Sequence, residues 1–307
     1  MKNDALRIDN LLVIGLGLIG GSLAMALRGR GFAGSFSAFN RSPSGIELAL
    51  RSGIIDVAPA SLEEAIAAAD LIVIGVPTLA VEQVMEAIAR HRRPGAVVTD
   101  VASVKGSVVE AARRVWGEVP AWLVPGHPIA GSEKSGVQAA RVDLFERHRV
   151  ILTPLAETAP AALELVDSMW RLTGAEVVHM GVLEHDRVLA MTSHLPHVLA
   201  FSLVDSLARQ PASADIFRFA AGGFRDFTRI ASSDVVMWRD IALANRDALL
   251  GAIDGFAHSL SGLREAIAAS DGSRIQEVFE HARSAREIYL RWHEESDQQR
   301  SHTGAGE

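Results

Sequence analysis

The 307-residue chain contains no cysteine, so disulfide bonds and thiolate chemistry have no place in it. That absence fits a reducing compartment, and a cytoplasmic protein is expected. Lysine is nearly absent as well. Among 30 basic residues only Lys2, Lys105 and Lys134 are lysines, and the remainder are arginines. A mechanism that needs a catalytic lysine therefore has few candidates, and none after Lys134. Excess positive charge is missing too: the net charge is −7, which disfavours a nucleic-acid partner. Long apolar runs are scarce. Leu11 to Leu27 is uncharged and has the outline of a secretory signal, with Ala24 and Ala26 near its end. Against that, Asp4 and Asp9 offset Lys2 and Arg7 ahead of it, and Gly15, Gly17, Gly20 and Gly21 interrupt it. It is also shorter than the roughly 20 steadily apolar residues of a membrane span. Neither a leader nor a membrane partner is expected.

What is present is the make-up of a soluble globular protein, 49% hydrophobic and 22% charged, with length for two ordinary domains. The first half alternates apolar strands with helical patterns, which predicts a parallel sheet. Strands are expected at Leu11 to Gly15, Phe36 to Asn40, Leu71 to Val76, Ala96 to Asp100, Trp122 to Val124, Val150 to Thr153 and Glu176 to Met180. Leu71 to Val76 is continuously apolar, as in a strand buried on both faces, and Pro77 stops it. Helices are expected at Leu18 to Leu27, from a Ser61 cap through Ala69, at Val104 to Trp116 and at Pro160 to Leu172. After Met180 the period becomes helical to about Trp292. The boundary is placed near Gly181, giving a Rossmann-type α/β domain over residues 1–180 and an all-α domain over 181–307. Asp234 caps a helix running to Asn245, Ser270 to Gly272 forms a turn, and the polar tail from Glu294 is expected to fray.

Gly15-Leu16-Gly17-Leu18-Ile19-Gly20 is a G-x-G-x-x-G run that follows a strand and opens a helix. Gly15 permits the tight turn, Gly17 lets backbone approach a pyrophosphate, and Gly20 lets the helix pack close to the strand. Backbone around Leu18 and Ile19 then faces the anion from the helix N-terminus. Val76 and Pro77, ending the third strand, complete the cofactor edge. The acidic residue that usually reads the ribose diol of NAD is replaced by Asn40, with Arg41 and Ser42 after it. Arg and Ser donate to a 2′-phosphate that a carboxylate would repel, so NADP is favoured. Binding of NAD through Asn40, with Arg41 in a solvated loop, remains the alternative.

Gly126-His127-Pro128-Ile129-Ala130-Gly131-Ser132-Glu133-Lys134-Ser135-Gly136 follows a strand of the expected sheet, where α/β proteins place their ligands. A histidine here suits proton transfer near neutral pH. The run resembles the signature HP-[IM]-AG-[ST]-EKSG of the prephenate/arogenate (cyclohexadienyl) dehydrogenase family. Ser193-His194-Leu195-Pro196-His197 resembles the family's SHLPH element. Gly222 to Ala231, continuing through Ser233-Asp234 to Met237-Trp238, resembles its GG-F-x-D-x-TRIA-x-SDPxMW element. Ala221 and Val235 depart from it, standing where Gly and Pro are common. The resemblance extends from Gly15 to about Glu287.

The resemblance implies oxidative decarboxylation of prephenate or arogenate in tyrosine biosynthesis, with hydride transfer to NADP or NAD. It implies that His127 is the base on the C4 hydroxyl and that Ser103 shares that hydroxyl. It implies that Arg229 binds a substrate carboxylate and that His197 and Ser193 contact the side chain, with Glu133, Asp226 and Trp238 as pocket or gating residues. It also implies a homodimer through the helical domain. On the residues alone, other readings stay open. Trp238 fits a core position, Lys105 fits neutralisation of cofactor phosphate, and His194 with His197 at i, i+3 fits a metal pair, although no carboxylate run completes one. Two rivals for the whole chain are a β-hydroxyacid dehydrogenase or imine reductase, and a non-catalytic nucleotide sensor. The first often uses a second-domain lysine that this chain lacks; the second has no need of His127 and Arg229 together.

Overall fold

The computed structural model describes residues 8–32, 34–40, 43–131, 134 and 136–303, the last eleven by backbone only. Arg41, Ser42 and Glu133, expected in the cofactor and substrate sites, lie outside the described residues. A five-stranded parallel sheet runs in the order β2 (Ser35–Phe39), β1 (Asn10–Ile14), β3 (Leu71–Ile74), β4 (Val97–Asp100) and β5 (Leu123–Val124). Successive side chains of a strand point to opposite faces. Leu11, Val13, Leu71 and Val73 accordingly enter one core, with Leu23, Phe36 and Trp170. Leu12, Ile14, Ile72 and Ile74 enter the other, with Ile66, Ile88 and Val108. Both faces are covered, which is why these strands read as unbroken apolar runs. Each such fully buried Val, Leu or Ile contributes about 1.5–3 kcal/mol.

The covering helices are α1 (Leu18–Gly29), α2 (Pro43–Arg51), α3 (Leu62–Ala68), α4 (Val81–His91), α5 (Lys105–Trp116) and α6 (Pro160–Leu172). Ser61 caps α3 by accepting from the Glu64 N–H at 3.1 Å. α2 and α4 are not among the helices expected from sequence, although Val81, Val84, Met85 and Ile88 of α4 form a buried stripe at helical spacing.

The expected single sheet is instead two. β6 (Gly126–Pro128), β7 (Arg149–Leu152) and β8 (Glu176–His179) form a separate three-stranded sheet. β6 runs antiparallel to β7, with His127 opposite Ile151, and β7 runs parallel to β8. Pro125 marks the switch: it has no N–H to continue the first ladder, and its carbonyl accepts from Thr153 N at 2.9 Å. His127 therefore sits on a strand rather than in a loop.

The helical half starts at α7 (Val182–Leu189), with Gly181 as its N-cap. It continues through a π-helical turn, Ala190–His194, into α8 (Leu195–Ala208). Pro196 cannot donate a helical hydrogen bond and its ring crowds the preceding turn; the π turn just before it accommodates both effects. By length and composition Val182–Ala208 is apolar enough to cross a membrane, with 22% of its most apolar window buried. α9 (Ser213–Arg218), α10 (Gly222–Thr228), a 3-10 turn at Arg229–Ser232 and α11 (Val235–Ala244) follow. Asp234 caps α11 through Met237 N at 2.8 Å, as expected. α7 packs on α5, and α11 packs on the turn Thr78–Ala80 beyond β3. The first compact unit ends at Leu249. The second, from Leu250, holds most of α12 (Arg246–Ala268) and α13 (Gly272–Thr303), joined by a turn with Ser270 at φ 55°. α13 stays helical beyond Glu294, where fraying was expected.

Candidate active site

The glycine turn is shaped from within. Gly15 has φ +94°, and a Cβ there would lie 2.6 Å from the Gly75 carbonyl carbon. A Cβ on Gly20 would lie 2.6 Å from Val13 Cγ1, so α1 rests directly on β1. Gly17 differs: nothing lies within 4 Å of its Cβ position. It caps α1 without any side-chain hydrogen bond, leaving the N–H groups of the first turn, around half-buried Leu18 and Ile19, available to an anion. The residues present thus fit a dinucleotide. Val76 and Pro77 follow Gly75, the residue in closest approach to Gly15. Asn40 does not reach outward. Its Oδ1 accepts from Leu16 N and its Nδ2 donates to Leu16 O at 3.1 Å, fastening the glycine turn to the end of β2.

At the carboxyl end of β4, Asp100 and Lys105 are both fully buried. Lys105 Nζ donates to Asp100 Oδ1 and to the carbonyl of Gly126. Asp100 also accepts from Ala102 N at 2.9 Å and from Gly126 N at 3.3 Å. Half-buried Ser103 lies in the turn that Ala102 begins. The expectation that Lys105 meets cofactor phosphate is corrected: its ammonium is enclosed against Asp100. Burial lowers its pKa, opposed by the attraction of Asp100 and then Asp186.

α5 begins without a cap of its own. Asp186 of α7 supplies one, accepting from Lys105 N at 2.8 Å and Gly106 N at 2.7 Å. Gly106 is what admits that carboxylate, since a Cβ there would lie 2.7 Å from Asp186 Oδ2. Asp186 Oδ1 also lies 2.8 Å from His185 Nδ1, and His185 Nε2 lies 2.9 Å from His127 Nδ1. Burial alone would raise the Asp186 pKa; the hydrogen bonds from His185, Lys105 N and Gly106 N overcome it and hold the carboxylate ionised, below its ordinary range. Burial depresses His185 despite that carboxylate. Burial, then the charges of His185, Lys105 and His194, push His127 well below the ordinary histidine value.

An ionised carboxylate only accepts, so neutral His185 carries its proton on Nδ1 and offers a lone pair at Nε2. His127 then donates from Nδ1, and its own Nε2 is left as a lone pair. That nitrogen makes no hydrogen bond among the described residues. The arrangement is a neutral base oriented by a second histidine and a carboxylate.

A second group adjoins it electrostatically through His194. Asn245 Nδ2 donates to Asp186 O at 2.8 Å and lies 3.0 Å from His194 Nδ1. With burial lowering its pKa to about 4, His194 is neutral and carries its proton on Nε2. That donor and Trp238 Nε1 are buried without partners among the described residues, as groups awaiting an acceptor are. Trp238 stacks on His197, ring centroids 3.4 Å apart. His197 Nδ1 is 2.9 Å from the carbonyl of half-buried Ser193, and Arg229 adds a positive field that lowers its pKa further, after burial. Asp226 is exposed, with Arg225 Nε 3.6 Å from its Oδ1. His185, Asp186 and Asn245 were not expected from sequence.

Two family profiles match the chain. One, described as "Prephenate dehydrogenase, nucleotide-binding domain", covers residues 23–179. The other, "Prephenate dehydrogenase, dimerization domain", covers 183–281. A cyclohexadienyl dehydrogenase of Zymomonas mobilis is 36% identical over 280 residues, covering 90% of this chain and 94% of the relative. A prephenate dehydrogenase of Bacillus subtilis is 37% identical over 286 residues, covering 91% and 76%. Among solved structures, the A. aeolicus prephenate dehydrogenase in complex with hydroxyphenyl propionate and NAD+ is 37% identical, with a TM-score of 0.87, covering 93% of this chain and all of that one.

Proposed function

The chain belongs to the prephenate dehydrogenase family, and from that membership we propose that it oxidatively decarboxylates prephenate, arogenate or both in tyrosine biosynthesis. A bound nicotinamide dinucleotide supplies the hydride acceptor. His127 Nε2 takes the proton of the C4 hydroxyl as hydride leaves C4; the ring carboxylate departs as CO₂, its bonding electrons aromatise the ring, and the C4 oxygen regains a proton. Aromatisation drives the step, so the protein mainly positions the reactants. Prephenate gives 4-hydroxyphenylpyruvate; arogenate gives tyrosine. The observation that carries this reading is the Asp186–His185–His127 chain, which leaves a neutral acceptor at Nε2.

Ser103 shares the hydroxyl. Arg229, with its forked donors, holds a substrate carboxylate, and Ser193 and His197 contact the substrate side chain. Glu133, Asp226 and Trp238 are assigned as pocket or gating residues, as the family resemblance implies. Gly15, Gly17, Leu18, Ile19, Gly20, Val76 and Pro77 form the cofactor cradle, Asn40 braces it, and Arg41 with Ser42 directs it toward NADP. A Rossmann domain over 1–180 and a helical domain over 181–307 divide these roles. The protein acts in the cytoplasm as a homodimer through the helical domain. Support for that assembly comes from the apolar side chains left exposed, such as Phe256, Leu260, Phe279 and Trp292 in the second unit.

Initial rates at 340 nm, with prephenate and arogenate each against NAD and NADP, test the reading. Turnover of at least one substrate is expected, with NADP giving the higher kcat/KM. No turnover of either substrate would overturn the activity; a higher kcat/KM with NAD would overturn the NADP assignment alone.

A further inference from the structure

Lys105 touches the route to His127 at both ends. Its backbone N–H holds Asp186, which holds His185, which holds His127. Its side chain holds the carbonyl of Gly126, the residue immediately before His127. The contacts close into a ring: Lys105, Asp186, His185, His127, Gly126 and back to Lys105. The Gly126 peptide is gripped on both sides, its N–H by Asp100 and its carbonyl by Lys105. There is little room to slip, because a Cβ at Gly126 would already lie 3.1 Å from the Asp100 carbonyl oxygen and from Leu152. Side-chain entropy makes it costly to immobilise a lysine, and burial makes it costly to enclose its charge. A fully buried Lys–Asp pair five residues apart, spanning strand end and helix start, is more than a helix cap requires, since Asp186 already supplies the cap.

We propose that Lys105 is a positioning residue for the reaction, fixing the peptide that aims His127 and tying it to the Asp186–His185 arm behind the ring. The proposal rests on the reading of His127 as the base. Among the described residues, the charged and titratable groups around His127 are Asp100 from β4, Lys105 from α5, His185 and Asp186 from α7, and His194 from the π turn. Lys105, held by Asp100, is the one lysine or arginine in that set. A cation opposes protonation of a neighbouring imidazole, so it moves the acid limb of activity to lower pH and preserves the base in mildly acidic conditions.

The test uses two variants of the full chain, checked for folding by thermal melts. Asp100→Asn/Lys105→Met removes both charges, so neither is left buried alone. Lys105→Gln keeps an amide donor for Gly126 and removes only the cation. For each, the His127 ring is titrated by NMR in the cofactor-free protein, and kcat/KM is followed against pH. Lys105→Gln should raise the pH at which His127 titrates and shift the acid limb upward with it, whereas in Asp100→Asn/Lys105→Met the lost carboxylate offsets the lost cation and the titration should move less. At the alkaline plateau kcat should fall roughly 10- to 100-fold in Asp100→Asn/Lys105→Met, which loses the grip on Gly126, and less in Lys105→Gln, which keeps a donor there. A folded Lys105→Gln whose His127 titration and acid limb match the wild type, or a folded double variant with wild-type kcat at the plateau, overturns the proposal. A titration that moves while the acid limb stays fixed supports the role of Lys105 and overturns the assignment of His127 as the base.

Discussion

His185 Nε2 lies 2.9 Å from His127 Nδ1, and the other nitrogen of His185 faces the Asp186 carboxylate at 2.8 Å. With both rings neutral, a single arrangement of protons satisfies both contacts, and it leaves the acceptor at His127 Nε2.

Residues acting as such a unit lose activity together rather than additively. His127→Asn should lower kcat by about 10²–10⁴-fold with little change in substrate affinity. His185→Phe keeps the ring volume but removes the acceptor for His127, and should cost a substantial part of that factor. The double variant should be no slower than His127→Asn alone. Multiplicative losses in steady-state kcat would show that the two histidines act separately.

Much of this was legible in sequence for a physical reason. The parallel strands are buried on both faces and therefore read as apolar runs, and the glycine turn needs Gly at Gly15 and Gly20, whose contacts exclude any side chain. His185 and Asp186 were not legible. On α7 they resemble the polar face of an ordinary amphipathic helix, and their meaning appears only when β6 brings His127 across to them. β6 itself escaped because three residues around Pro125 decide whether the chain stays in the first sheet or starts a second. Asn40 occupies the place of a ribose reader, yet its side chain is spent on Leu16, a contact 24 positions away that no local pattern encodes.

The glycines separate fold from binding. Gly17→Ala adds a methyl into open space at φ −114°, so its melting temperature should stay within about 2 °C of wild type, in line with a stability change below roughly 0.5 kcal/mol. Cofactor affinity should fall at least tenfold by fluorescence titration, because the methyl stands where a pyrophosphate approaches. Gly20→Ala must displace Val13 and should cost about 1–3 kcal/mol in denaturant unfolding. Unchanged cofactor affinity in Gly17→Ala would remove Gly17 from the cofactor site.

Cofactor selection should separate from cofactor affinity. Asn40→Ala unfastens Leu16 and should raise the KM for NAD and NADP by similar factors. Arg41→Asp should instead invert their kcat/KM ratio, since a carboxylate repels the 2′-phosphate and accepts from the diol. Initial rates with both cofactors decide this. A changed ratio in Asn40→Ala would mean that Asn40 itself reads the ribose.

Stability should fall with acid. His127, His185 and His194 all have folded pKa values below the ordinary 6.5. The unfolded chain therefore binds more protons than the folded one once pH drops below that value. Stability is full above about pH 6.5 and is lost as pH falls toward the folded values. For His194, depressed to about 4, the loss across that window is on the order of 3 kcal/mol. Urea unfolding at pH 7 and pH 5 should show the decline, and His194→Gln should flatten it. An equal decline in that variant would place the effect elsewhere.

The most direct test of the proton arrangement is the ¹⁵N spectrum of the imidazoles in selectively labelled protein at pH 7. His127 is expected as the neutral Nδ1–H tautomer with an unprotonated Nε2, beside a neutral His185 also protonated on Nδ1. An imidazolium at His127, or a proton resting on its Nε2, would contradict the account.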